Sequence, residues 1–164
     1  MKTTLIKLTL CLFITTVLIS CSKDDVEIYE ESFIETKVSY SPIENEILNI
    51  INEFRRTNGI KTLEKLNIIS SVAETHSSYM VKVGEANHDN FPERHEKLVH
   101  NANAKTVGEN VAYGFNSAES VVNAWLNSEH HKKIIVNPDY THFGISTKTD
   151  NEGRNYFTHI YIKQ

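Results

Sequence analysis

The stretch "YTHFGISTKTDNEGRNYFTHIYIK", residues 140–163, alternates where the preceding chain does not. Phe143, Ile145 and Thr147 recur at every second position, "DNEG" reads as a turn, and "RNYFTHIYIK" reads as a second strand. Period two on both sides of a turn predicts a β-hairpin. Upstream the period is three to four. Ile43, Ile47, Ile50, Ile51 and Phe54 form one helical stripe, stopped at Asn58-Gly59. Leu66, Ile69, Val72, Ala73, His76, Met80 and Val83 form another, ending at Gly84. Pro92 opens a short helix through Leu98, and "TVGENVAYGF" is extended. Ser117 has the character of an N-cap for a helix carrying Val121, Val122 and Trp125. Helices first, a hairpin last and no βαβ alternation give an α+β fold, with helices packed on an antiparallel sheet.

The N-terminus follows other rules. Lys2 precedes the apolar run "LTLCLFITTVLI", residues 8–19. A membrane span needs about 20 apolar residues, so a secretory signal peptide is expected. The run ends in "LISC", residues 18–21, which resembles a bacterial lipobox. That resemblance implies cleavage after Ser20 and lipidation of Cys21, hence a membrane-anchored lipoprotein of the cell envelope. "SKDD", residues 22–25, resembles a surface-export signal of Gram-negative outer-membrane lipoproteins. The expected organisation is a leader over residues 1–20, a lipidated acidic tether over 21–42 and a domain over 43–164. The tether holds six acids between Asp24 and Glu35. Cys11 and Cys21 are the only cysteines, so the domain has no disulfide and depends on its core. A formal net charge of −4 and no basic run argue against nucleic acid as a partner.

Two adjacent histidines stand in "SEHHKKII". At about 100° per helical residue, His131 falls within about 10° of the direction shared by Ile134 and Ile135, and His130 lies about 90° away. His131 is therefore expected to face inward, with His130 a bystander. Candidate partners are His88, after the second helix, and Glu109, between a glycine and an amide. No local metal motif is present, so convergence must come from the fold. Trp125 and His76 read as core residues, and Ser128 as an N-cap.

"HDNF", "VGENVAYG", "VVNAWLNSEHH" and "NPDYTHFGIS", in that order, resemble the bacterial branch of the CAP superfamily, which includes cysteine-rich secretory proteins and plant pathogenesis-related proteins. The resemblance runs from about Ile43 onward and implies an α-β-α sandwich around a central antiparallel sheet, with a large groove. The family's groove holds two histidines and two acids, which in some members bind zinc or another divalent cation. The loop histidine matches His88 and the glutamate of "GEN" matches Glu109. The places of the other acid and histidine hold Ser128 and Asp139 here. The bacterial branch instead has a histidine six residues after the tryptophan, which is His131. His88, Glu109 and His131 are thus the candidate groove site, His88 and His131 the candidate metal ligands, and Ser128, Asp139 and Asn110 the candidate ligand contacts.

Two functions fit these residues. One is a binding module capturing an extracellular lipid, peptide or cell-wall fragment. The other is a metal-dependent hydrolase in which His88, Glu109 and His131 hold a metal that activates water. Ser128 and Asp139 at the family's acid and histidine places favour binding. The lipobox has its own test. Cys21→Ser should move the protein from the membrane fraction to the soluble fraction on cell fractionation, and unchanged sedimentation with membranes would refute lipidation.

Overall fold

The computed structural model describes residues 38–164; the leader, Cys21 and the tether through residue 37 lie outside the described residues. The elements run α1 (Pro42–Thr57), β1 (Glu64–Lys65), α2 (Asn67–Val83), α3 (Phe91–Ala102), β2 (Thr106–Tyr113), α4 (Ala118–Asn127), α5 (Glu129–Ile135), β3 (His142–Thr149) and β4 (Asn155–Lys163). The strands form one sheet in the order β1-β3-β4-β2. Its pairings are antiparallel except for two-residue β1, which runs parallel to β3.

Alternation along β3 and β4 sorts side chains to two apolar faces. Phe143, Ile145, Phe157 and Tyr161 meet Ile47, Leu48 and Ile51 of α1 and Val121, Val122 and Trp125 of α4. Ile160 and Ile162 meet Ile69, Val72 and Ala73 of α2 and Leu98 and Ala102 of α3. The result is the expected α-β-α sandwich. His142 and His159, one on each strand of the hairpin, occupy opposite faces of the sheet. His142 stands across from Ile162 and His159 across from Ile145, three positions along β3. His159 is fully buried, its Nδ1 2.9 Å from the Tyr161 hydroxyl, and burial pushes its imidazole down to about 3, so it is neutral.

Two close approaches fix the layers. A Cβ on Gly144 would lie 2.5 Å from the Ser70 backbone nitrogen, so only glycine lets α2 sit this near β3. Ser70 Oγ then accepts from the Ile145 N–H at 3.1 Å and meets the Tyr40 hydroxyl at 2.7 Å. Tyr40 also packs on the core, beneath the Lys65 ammonium. Ser41 caps α1 in a reciprocal box with Glu44. The domain therefore starts before Ile43: Tyr40 and Ser41, assigned to the tether, are part of the fold, because α1 needs its cap and the α2–β3 contact needs the tyrosine.

The second approach uses a charge. Arg55 is four residues after Ile51 on the inward stripe of α1 and is fully buried. Its guanidinium donates to the carbonyls of Lys61 (2.9 Å), Ile135 (2.6 Å), Asn137 (2.9 Å) and Tyr140 (3.5 Å). Two of these lie at or just past the C-terminus of α5, where carbonyls lack helical partners and the dipole is negative. Burial lowers the Arg55 pKa, but the group remains a cation at any working pH. A lysine cannot span that fork. Arg55→Lys should lower unfolding free energy in urea by about 3 kcal/mol, whereas Arg56→Ala, removing an exposed pair with Glu53, should leave the urea midpoint within experimental error of the parent.

Candidate functional site

β2 is the last strand on its side of the sheet, and elements from both faces overhang it. From one face come His88, in the α2–α3 loop, and Phe91, which opens α3. From the other come His130 and Ile134 of α5 and Tyr140 beyond it. Val107, Gly108 and Glu109 form the floor between, and the cleft has a volume of about 340 Å³. Gly108 makes the far wall possible, because a Cβ there would lie 2.4 Å from the Tyr140 hydroxyl and 3.1 Å from Ile134 Cγ2.

Glu109 is buried at one end of the floor. Arg94 donates to both its oxygens, from Nε and Nη2, each at 2.7 Å, and His88 Nδ1 lies 2.8 Å from Oε1. A third Arg94 nitrogen, Nη1, donates to the Asp89 carbonyl at 2.6 Å and so ties the loop that carries His88. Burial works to raise the Glu109 pKa. The hydrogen bonds from His88 and Arg94, with the Arg94 charge, outweigh it and hold the carboxyl below the ordinary glutamate range.

The histidine pair is arranged differently from the expectation. His131 is the more buried of the two, as its angle requires, but His130 is the one in the cleft lining. The core direction and the site direction differ here, because α5 straddles the sheet edge and its margin faces the cleft. His131 lies beside it: its carbonyl accepts from Asn110 Nδ2 at 3.2 Å, and its Nδ1 is buried without a hydrogen-bond partner. Burial lowers the His131 pKa, helped by charge on His130 and His88, which places the three imidazoles in one electrostatic neighbourhood. Asn110, fully buried, supports α5 from beneath. Ser128 and Asp139 are not in the lining. Ser128 occupies the N-cap position of α5 without a side-chain cap bond, and Asp139 is exposed, with Lys163 Nζ 3.7 Å away.

Arg94 went unread in the sequence although a signal was present: it stands four residues before Leu98 and eight before Ala102, on the buried stripe of α3. A charge at a core position of an amphipathic helix demands a buried partner. The same cation bears on metal binding. Arg94 occupies both oxygens of Glu109 and supplies the charge a divalent ion would supply, while one nitrogen of His88 is turned onto the same carboxylate. Among the described residues no group of three or more His, Cys, Asp or Glu side chains is placed to hold a metal ion. The donor set as folded does not fit the divalent metal expected at His88 and His131.

The model of the cysteine-rich secretory protein family (CAP) matches residues 48–161. The chain belongs to this family. Two relatives in Bacillus subtilis are similar to it: the "uncharacterized membrane protein YlbC", 32% identical over 130 residues, 74% of this chain, and the "uncharacterized protein YkwD", 33% identical over 110 residues, 65% of this chain. The matches span 34% and 43% of those relatives, so the chain corresponds to less than half of each. An outer surface protein from Borrelia burgdorferi shares the fold, with a TM-score of 0.66 and 23% identity over 73% of this chain and 91% of that one.

Replacing Arg94 by Met keeps bulk and removes charge. Arg94→Met should cost about 3 kcal/mol near pH 7, because Glu109 is left buried without its cation. In the native protein the depressed Glu109 pKa stabilises the fold above the ordinary glutamate range, and that contribution is lost as pH falls through the folded value. In the variant burial raises the pKa instead, so the deficit should narrow on acidification below neutrality. Urea titrations of both proteins across pH check this, and a pH-independent deficit would mean that Arg94 acts by packing alone.

Proposed function

We propose that this CAP domain is a groove-type binding module, held at the cell envelope by the lipid on Cys21 and presented on its acidic tether to an extracellular ligand. The observation that carries the reading is the state of Glu109. Its oxygens are engaged by Arg94 and His88, and its pKa is held down, so it is poised as a fixed anion rather than as a base that takes a proton during a reaction. The rest of the cleft suits capture. Phe91, Val107, Ile134 and Tyr140 offer apolar surface, and the imidazoles of His88 and His130 offer directional hydrogen bonds from opposite walls. A hydrolase would need the carboxylate free, or a metal in the place of Arg94.

The test uses the folded domain and three probes: a long-chain fatty acid, a muropeptide, and acetylated, amidated tetrapeptides of alternating Val and Thr. The imidazole proton resonances of His88 and His130 are followed by NMR. At least one probe should shift both, and Phe91→Ala should weaken that probe about tenfold, as loss of a buried aromatic contact does. Turnover of a peptide or glycan that depends on His88, with no saturable shift from any probe, would replace this reading by the hydrolase.

A further inference from the structure

The floor of the cleft is the open edge of a sheet, and its hydrogen-bonding parity can be read. Gly114 N–H donates to the Asn155 carbonyl at 2.8 Å, continuing the register in which Tyr113 stands across from Tyr156. In an antiparallel ladder such paired residues alternate with residues whose backbone groups point the other way. The even-numbered residues Gly108, Asn110 and Ala112 thus face β4, and the odd-numbered Val107, Glu109 and Val111 turn N–H and C=O outward. The Trp125 indole verifies the parity from outside: its Nε1–H donates to the Val111 carbonyl at 3.1 Å. Among the described residues, no hydrogen bond reaches the outward groups of Val107 and Glu109. Glu109 is 4% exposed and Val107 half-buried, so these polar backbone groups lie in a recess, where missing partners are costly.

We propose that the cleft recognises an extended peptide segment by strand addition to β2, with the outward N–H and C=O groups of Val107 and Glu109 as the pairing template. This rests on the binding-module reading and names its ligand class. The two residues are about 7 Å apart along the strand, the repeat at which an added strand presents its own N–H and C=O groups. The Trp125 indole closes the ladder at Val111, so the paired segment is short. The walls decide the occupant. Phe91 and His88 on one side, and His130, Ile134 and Tyr140 on the other, stand above the floor. A second copy of this chain carries the same walls, so its recessed β2 cannot reach this one, whereas a slender extended chain can. Side chains of such a segment alternate toward the two walls, which fixes its register.

The same Val-Thr tetrapeptides test this, in unmodified form and N-methylated at residues 1 and 3 or at residues 2 and 4. Strand addition predicts that one methylation pattern weakens binding about tenfold or more and the other leaves it nearly unchanged, because alternate amides face the edge. Amide exchange at Val107 and Glu109 should slow on binding. Val107→Pro should still melt cooperatively, since the lost N–H points outward, and should lose the tetrapeptide. An unfolded Val107→Pro would place that N–H inside the ladder and overturn the parity. Equal effects of both methylation patterns would overturn pairing and leave side-chain capture. Fatty acid or muropeptide binding without tetrapeptide binding would overturn the peptide and keep the binding module, and silence from all three probes would remove both. A concentration-dependent dimer in sedimentation, with Val107 and Glu109 protected, would make a second copy the occupant and overturn the proposal.

Discussion

A fully buried guanidinium holds this domain in register. Among the described residues Arg55 has no carboxylate partner, so the cost of its desolvation falls on carbonyl oxygens. Those carbonyls come from the turn after α1 and from the segment between α5 and β3. The chain from Ile135 to Tyr140 has no regular ladder of its own, and the arginine supplies one. Tyr140 is held in this way against Gly108, and the far wall of the cleft with it. The interaction belongs to the core, yet the shape of the site depends on it.

Arg94 and Glu109 repeat the arrangement on the opposite face, with a different result. There the buried cation has an anion, and together they join α3 to the edge strand while leaving one carboxylate oxygen in contact with His88. The site is thus bounded by two buried arginines, one per face of the sheet, each pinning a wall. An acid fixed this firmly contributes an oriented negative charge and a hydrogen-bond acceptor, which suits recognition better than proton transfer.

Much of this was legible. The hairpin, the helical stripes, the Ser117 cap and the pairing of His88 with Glu109 follow from period, capping chemistry and the ordered CAP motifs. Arg55 and Arg94 were visible as charges on apolar stripes, but a stripe shows only that a residue is buried. Which carbonyls or carboxylate it meets is set by segments up to 85 residues away. His130 lies in the cleft lining although its wheel angle points away from the core, because a helical wheel knows the core direction and not where the sheet ends. Tyr40 was missed because its partner, Ser70, is reached only after α2 has packed on Gly144. Strand order, and hence the identity of β2 as an edge, depends on pairings that no local pattern encodes.

The two rims of the sheet are treated unequally. On the far rim, β1 is only two residues long and carries Glu64 and Lys65, both exposed. Beyond it, the outward N–H groups of Ile145 and Thr147 are taken by Ser70 Oγ and by Glu44. That rim leaves only Lys65 facing outward, too short a template for another molecule's backbone. The near rim is open but lies below its walls. Growth of a fibre by sheet-to-sheet stacking of intact molecules needs two accessible rims, and this fold presents none to a copy of itself. A neighbouring copy of this domain therefore meets no rim at which the two sheets could join edge to edge.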